Sequence, residues 1–208
     1  MGPCYRGRER GCAGENEDDP TMTDALTLLE TRKSPKIFDL VAPGPSAAEI
    51  DRMLTIASRV PDHGKLAPWR FIVIEGEAQA RAGEAIAAVF TQDNPDAAAD
   101  RLATERTRLS RAPLVVAVVS RAGAHVKIPE WEQLMSGAAA CTLLLLAAHA
   151  LGYAGTWLTE WYAYDARVRH AFGLAEAERF VGFVHIGTLA RPQEDRPRPA
   201  LADIVTRF

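Results

Sequence analysis

The chain has 208 residues, which is enough for one domain with a buried core. Its composition, with 48% hydrophobic and 25% charged residues, is typical of a globular protein. Its formal net charge is −3 and its basic residues are scattered, which argues against a nucleic-acid-binding surface. Three cysteines, an odd number without a CxxC pair, predict neither a disulfide framework nor a structural zinc site.

Residues 1–21 are rich in glycine and charge, and we expect them to form a disordered N-terminal extension. A single domain is expected over residues 22–208, with Met22 as a candidate start. The extension lacks the apolar core of a secretory signal, so the expected location is cytoplasmic.

Two helices are predicted next. In DALTLLETRKS, apolar residues at helical spacing follow Thr23 and Asp24, either of which can cap the helix. This helix is expected to end at the basic cluster 32–34, because the following proline disfavours helix. Ser46 and Glu49 form a capping box that predicts the second helix.

The rest of the chain predicts a few buried strands among longer helices. The apolar runs FIVIEG, APLVVAVVS and FVGFVHIGTL predict strands, and residues 77–111 predict helix with a break near Asn94-Pro95. Residues 131–152 predict a long apolar helix. Its uninterrupted apolar part is about half of the ~20 residues that span a membrane, so burial in a domain or dimer core is expected. This mixture predicts an α+β or three-layer α/β fold.

Basic residues gather in two places, at Arg32-Lys33-Ser34 with Lys36 and at Arg59, His63 and Lys65. Arginine binds phosphate through two hydrogen bonds and serine adds a donor, so both clusters are candidate anion sites. The alternative is a solvated helix end, where cations also interact favourably with the helix dipole. His63 is likewise either a ligand contact or a surface residue.

Other motifs of catalysis are absent from the sequence. The five histidines show no metal-binding spacing, and neither a GxSxG elbow, a P-loop nor a GxGxxG fingerprint is present. Trp131, Trp157 and Trp161 either line a planar ligand or pack in the core. Cys141, inside the apolar helix, is expected to be an inert packing residue.

Several stretches, taken in order, resemble the nitroreductase family of FMN-dependent oxidoreductases and, within it, a small bacterial subgroup. TRKS resembles the family's N-terminal R-[RH]-S signature, and ASRVPDHGKLAPWRFIVIEG resembles the subgroup's A-x-R-A-P-D-H-x-x-x-Q-P-W-x-F-x-V-I-E-G. KIPEWEQLMSGAA, LGYAGTWLTE, VGFVHIGT and the closing TRF have counterparts as well. The resemblance implies a three-layer α/β sandwich in which helices flank a central mixed or antiparallel sheet.

The resemblance also implies a homodimer with two FMN sites built from both subunits. Hydride from NAD(P)H would pass through FMN to a nitroaromatic, quinone or similar small acceptor in a ping-pong cycle, without a catalytic side chain. The implied FMN contacts are Arg32, Lys33, Ser34, Arg59, His63, Trp157, Leu158 and Thr159. The segment implied for the nicotinamide nucleotide is Ala147, Ala148, His149, Ala150, Leu151 and Gly152.

Two positions depart from the family pattern. Ala67 stands where glutamine is usual, and Leu158 stands where the subgroup has arginine. Lys36 and Lys65 are candidates to restore the positive charge. Two other hypotheses stay open: a flavoenzyme of the same fold that performs flavin fragmentation, dehalogenation or ene reduction, and a non-catalytic flavin-binding or sensory protein.

Overall fold

The computed structural model describes residues 24–208, so the predicted extension over residues 1–21 lies outside the described residues. The strands are β1 (Leu40–Val41), β2 (Trp69–Glu75), β3 (Leu114–Ser120), β4 (Ala154–Leu158) and β5 (Arg179–Leu189). The helices are α1 (Ala25–Thr31), α2 (Ala47–Ala57), α3 (Glu77–Asp93), α4 (Ala99–Arg106), α5 (Glu130–Ala150), α6 (Ala166–Ala171) and α7 (Leu201–Ile204).

Strand β5 organises an antiparallel sheet. It pairs with β3 along most of its length, with β4 over Phe183–Gly187 and with β1 at its end. Strand β2 pairs with the other side of β3 and forms an edge of the sheet. The two-residue β1 was not predicted, because two residues carry no periodicity.

Helices cover both faces of the sheet, which confirms the predicted three-layer fold. On one face α2 and α5 pack against Val116 and Val184. On the other, α3 and α6 pack against Val115 and Phe183. Successive residues of β3 therefore enter opposite layers, and each fully buried valine contributes about 1.5–3 kcal/mol of hydrophobic stabilisation. The unbroken apolarity of APLVVAVVS follows from this burial on both sides.

The helix starts follow the predicted chemistry. Asp24 caps α1, its side chain accepting a hydrogen bond from the Thr27 amide, while Thr23 lies outside the described residues. Ser46 and Glu49 form the expected capping box of α2. The break at Asn94-Pro95 separates α3 from α4, as predicted.

Helix α5 is the central helix of the fold. By length and composition it alone among the described helices is long and apolar enough to cross a membrane, yet half of that stretch is buried inside the fold. Cys141 has 0% exposure on this helix, and burial raises the pKa of its thiol to about 12. This confirms that Cys141 is a packing residue.

His185 is a buried histidine in the middle of β5. It is 0% exposed, and neither ring nitrogen has a hydrogen-bond partner among residues 24–208. Burial, with a smaller contribution from the Arg111 cation, lowers the pKa of His185 from 6.5 to about 3. The imidazole is therefore neutral in the folded protein, whereas the unfolded chain takes up a proton near pH 6.5.

We expect this histidine to make the protein less stable in acid. Above about pH 6.5 this group does not change the free energy of unfolding with pH. As the pH falls from 6.5 toward 3, the free energy of unfolding decreases by up to about 1.4 kcal/mol per pH unit. Urea unfolding of His185→Leu should show a smaller loss of stability between about pH 7 and 4 than the wild type. The exposed His170→Leu serves as the matched control. Equal slopes in wild type and His185→Leu would contradict the assignment.

Candidate functional site

The segment after α1 carries the first group of predicted site residues. Arg32 is the C-cap of the helix, and its Nη1 donates to Ser34 Oγ at 3.2 Å. Lys33 points to the C-terminal tail, where its Nζ donates to the Gln193 carbonyl at 2.8 Å. All three residues are partly or fully exposed, so their polar groups can reach a ligand.

The C-terminal tail is attached beside this segment. Asp39, which is 5% exposed, pairs with Arg191 at 2.8 Å and accepts a hydrogen bond from Gln193 Nε2 at 2.8 Å. The tail is thereby held against the residues that follow the TRKS motif. Neither Asp39 nor Gln193 was singled out from the sequence, because the contact joins residues 154 positions apart.

A cleft of about 340 Å³ lies where TRKS, the end of α5 and the tail meet. We call it the Lys33 cleft; its lining includes Lys33, His149, Gly152, Tyr153 and Gln193. The structure thus brings the segment expected to bind FMN phosphate next to the segment expected to bind the nicotinamide nucleotide.

Not every residue of the 147–152 segment reaches that cleft. Ala147 and Ala148 are 2% and 0% exposed, because they face the core. His149 bonds through Nδ1 to the Leu145 carbonyl at 2.8 Å. Burial lowers the pKa of His149, and the Arg32 cation lowers it further. A neutral His149 and the exposed Gly152 are therefore the groups that this segment offers to a ligand.

A second cleft of about 390 Å³ lies between the Arg59–Trp69 loop and the first turns of α5. We call it the Trp131 cleft; it is lined by Pro61, His63, Trp131, Glu132, Met135, Ser136 and Ala139. Trp131 is 67% exposed, and His63 Nδ1 lies 2.7 Å from Glu132 Oε2. Trp131 therefore presents an aromatic face to the cleft instead of packing in the core.

Two hydrogen bonds to Ser136 hold the loop on α5. Trp69 Nε1 donates to Ser136 Oγ at 3.0 Å, and Ser136 in turn donates to the Pro61 carbonyl at 2.7 Å. Inside the loop, the Asp62 carboxylate accepts from the amides of Leu66 at 3.1 Å and Ala67 at 2.8 Å. Ser136 and Asp62 position the predicted site residues, and sequence patterns alone gave no signal for this role.

The same loop has an uncommon backbone. Gly64, Lys65 and Ala67 all have positive φ, at 75°, 57° and 46°. Positive φ is uncommon for non-glycine residues, so Lys65 and Ala67 are strained. A Cβ on Gly64 would also overlap Ile128 Cδ1, which explains the glycine there. Strained backbone of this kind is concentrated at functional sites.

The third group of predicted residues lies at the end of β4. Trp157 and Leu158 are half-buried and Thr159 is exposed. The indole of Trp157 lies on Gly182, where a Cβ would be 2.6 Å from Trp157 Cδ1 and 3.0 Å from the Leu158 carbonyl. Glycine is therefore required opposite Trp157.

An ion-pair network fixes the chain directly after this turn. Glu160 pairs with Arg108, and with Arg111 Nη1 at 3.1 Å. Arg108 also binds the fully buried Glu105, which accepts a hydrogen bond from Trp161 Nε1 at 3.0 Å. Of the three tryptophans that were candidates to line a planar ligand, Trp161 is thus engaged in this network, whereas Trp131 is exposed and free to contact a ligand.

Five cations in the predicted site regions have no carboxylate partner within residues 24–208: Arg32, Lys33, Lys36, Arg59 and Lys65. Elsewhere many arginines are paired, for example Arg70 with Glu178 and Arg167 with Asp93. Cations without a carboxylate partner keep their donors available for charge-assisted hydrogen bonds to an anionic ligand. The same described residues contain no group of three or more side chains that could hold a metal ion.

Neither of the two clefts described within residues 24–208 brings together the three groups of predicted residues, at TRKS, in the Arg59–Trp69 loop and at the end of β4. The Lys33 cleft joins TRKS to residues 149–152, and the Trp131 cleft joins His63 to α5. No hydrogen bond or ion pair between side chains of the described residues links either cleft to Trp157, Leu158 or Thr159.

Comparison with known proteins agrees with the sequence resemblance. A family model described as "Nitroreductase family" matches residues 29–188. The chain is 39% identical over 166 residues, 79% of this chain and 88% of the relative, to a Haemophilus influenzae protein named "Putative NAD(P)H nitroreductase". It is 37% identical over 167 residues, with the same coverage of both chains, to the Escherichia coli protein named "Putative NAD(P)H nitroreductase YdjA", which confirms the predicted subgroup.

A solved structure shows the same fold. A mutant of the FMN and NADPH-dependent nitroreductase NfnB from sphigopyxis sp. strain HMH matches with a TM-score of 0.69. The match covers 89% of this chain and 99% of the other, at 20% identity. The predicted fold class is therefore confirmed by architecture as well as by sequence.

Proposed function

Because the chain belongs to the nitroreductase family, we propose that it is an FMN-dependent oxidoreductase. It would pass hydride from NAD(P)H to a nitroaromatic, quinone or similar small acceptor in a ping-pong cycle. FMN, when bound, supplies the two-electron chemistry, and the protein supplies binding, orientation and charge.

The observation that carries the proposal is the set of unneutralised donors at the matched motifs. Arg32 and Ser34 fit a phosphate, since a guanidinium group and a hydroxyl offer several hydrogen bonds to its oxygens, and Arg59 would add a second guanidinium group in the assembled site. Within residues 24–208 neither arginine is neutralised by a carboxylate. Lys33 adds a fourth donor at the Lys33 cleft, although it now bonds to the tail.

Aromatic and apolar groups complete the site we propose. Trp157, Leu158 and Thr159 would line FMN from the end of β4, held in place by the Glu160 ion pairs. The strained loop would present His63, and Lys65 and Lys36 would add positive charge. For the nicotinamide nucleotide we propose the exposed end of the 147–152 segment, at His149 and Gly152.

The separation of the two clefts supports the proposal that a second copy of the chain completes each site. Apolar side chains remain exposed on the segments around them: Leu26, Leu29, Trp131, Leu134, Met135, Leu201, Ile204, Val205 and Phe208. Burial of such a surface favours association. The homodimer and the cytoplasmic location stay predictions.

The proposal is tested by the visible spectrum of the purified protein after incubation with FMN and removal of free flavin. We expect bound flavin, its bleaching by NADH or NADPH without oxygen, and recovery of colour when a nitroaromatic or quinone is added. A protein that retains no flavin overturns the proposal. If flavin binds but neither nucleotide reduces it, the non-catalytic alternative is supported. If the enzyme turns over enones or halogenated compounds but neither nitroaromatics nor quinones, the other chemistries are supported.

Arg59→Ala should weaken FMN binding. Loss of one charge-assisted hydrogen bond costs about 1.5–3 kcal/mol, or roughly a 10- to 150-fold higher Kd. Fluorescence titration of FMN measures this, and Arg52→Ala, an exposed arginine of α2, is the matched control. If Arg59→Ala and Arg52→Ala bind FMN with the same Kd, Arg59 does not belong to the site.

A further inference from the structure

His63 and Glu132 form a hydrogen-bonded pair in the lining of the Trp131 cleft. Their contact of 2.7 Å joins a loop to the first turn of α5, across 69 positions of sequence. Their side chains remain 63% and 45% exposed, so the pair faces the Trp131 cleft.

The fold fixes His63 in this position. His63 opens the short 3₁₀ turn His63–Lys65, and the Lys65 amide donates to the Asp62 carbonyl at 3.2 Å. Ser136 ties the start of the loop to α5 through the Pro61 carbonyl. The imidazole is therefore presented by a restrained loop whose anchor is the same helix that carries Glu132.

A carboxylate on one ring nitrogen determines what the other nitrogen can do. With Nδ1–H bound to Glu132, the Nε2 atom of His63 is the nitrogen left to exchange a proton with a ligand. Among the described residues Nε2 has no hydrogen-bond partner. The carboxylate also fixes the orientation of the ring, as in catalytic His–carboxylate pairs.

The cleft around the pair suits a flat aromatic ligand. Trp131 is 67% and Met135 44% exposed beside His63, and both side chains make favourable contacts with aromatic rings. Quinones fit this chemistry, because they combine a planar ring with oxygen atoms that gain charge on reduction.

Two-electron reduction of a quinone to a hydroquinone consumes one hydride and one proton. The proposed activity supplies the hydride to one quinone oxygen, but the other oxygen then carries a negative charge and needs a proton. We propose that His63, oriented by Glu132, donates that proton from Nε2 to the quinone oxygen. The N–H bond of the imidazolium breaks, its electron pair stays on Nε2, an O–H bond forms, and solvent returns the proton to the ring.

This inference rests on the proposed function for its hydride, but the His63–Glu132 pair can be tested without flavin. Other titratable groups on the surrounding segments are Arg59, Asp62 and Lys65 on the loop, His125 and Lys127 before α5, and Glu130 at the start of α5. All of them are retained when Glu132 alone is changed.

The first experiment measures the ring ¹⁵N shifts of His63 by NMR in the FMN-free protein. At a pH where the imidazole is neutral, we expect the Nδ1–H form in the wild type. Glu132→Ala should shift the population toward Nε2–H, which predominates in free histidine, and Glu132→Gln should retain Nδ1–H, since the amide oxygen still accepts the bond. The Nε2–H form in wild type overturns the inference whether or not flavin binds.

The second experiment compares two acceptors with the FMN-loaded enzyme. Ferricyanide takes electrons without a proton, so the ratio of the quinone rate to the ferricyanide rate isolates proton donation from flavin content. For His63→Gln this ratio should fall at least about tenfold, as expected for loss of a general acid. Glu132→Ala should lower it as well and change the pH dependence of kcat. A ratio equal to that of the wild type in His63→Gln overturns the inference.

The two experiments also separate the inference from the function it depends on. If the protein binds no FMN, the proposed function fails and the proton transfer with it. If flavin binds and is reduced but the ratio does not change, only the role of His63 fails.

Discussion

Arg32→Ala is expected to abolish most of the FMN affinity while leaving the fold intact. The Arg32 guanidinium lies next to Ser34 and has no carboxylate partner within residues 24–208. Its planar set of donors suits two hydrogen bonds to a phosphate. Losing them should cost about 2–4 kcal/mol, or roughly a 30- to 1,000-fold higher Kd. The fold should not suffer, because the helix-capping contact of Arg32 uses its backbone N–H.

Two further variants sharpen the Arg32 prediction. Arg32→Lys keeps the charge but loses the two-pronged geometry, so its Kd should lie between wild type and Arg32→Ala. Arg81→Ala removes an exposed cation from α3 and controls for net charge. Flavin fluorescence gives the Kd of each variant. A Kd within about threefold of wild type for Arg32→Ala would remove this residue from the binding site.

Gly182→Ala is expected to destabilise the protein and to displace Trp157. The added Cβ would overlap Trp157 Nε1 and lie 2.6 Å from Trp157 Cδ1 and 3.0 Å from the Leu158 carbonyl, where neither a tryptophan ring nor a strand carbonyl moves easily. Overpacking of this kind costs about 1–3 kcal/mol, which lowers Tm by roughly 2–12 °C in a domain of this size.

The measurement for Gly182→Ala is thermal unfolding together with intrinsic tryptophan fluorescence. Gly123→Ala is the matched control, because the nearest atom to its added Cβ is 4.0 Å away and its φ is not positive. We expect the control to change Tm little. A Gly182→Ala protein as stable as the control would show that the β4 turn tolerates a displaced indole and would weaken the case for a rigid Trp157.

The elements that sequence patterns predicted well are those fixed by local chemistry. The Ser46–Glu49 capping box, the break at Asn94-Pro95 and the doubly buried β3 follow from propensity and periodicity, and all are present. The order of motifs also predicted the family. Such features need no knowledge of which residues meet across the fold.

Long-range contacts could not be predicted in this way. Glu132 meets His63 and Ser136 meets Pro61 only because the loop folds back on α5. Ala147 and Ala148 match the nucleotide segment in sequence, yet the orientation of α5 buries their side chains. A pattern of residue types carries little information on which side of the mostly apolar helix α5 will be covered.

The strained loop has a consequence for how this site can diversify. The Asp62 carboxylate and Ser136 hold the loop through backbone groups, so the side chain at position 67 contributes nothing to its shape. Ala67 is exposed and has a φ of 46°, so any residue that tolerates this backbone can occupy the position. We therefore expect residue 67 to accept substitutions without a change in the shape of the loop.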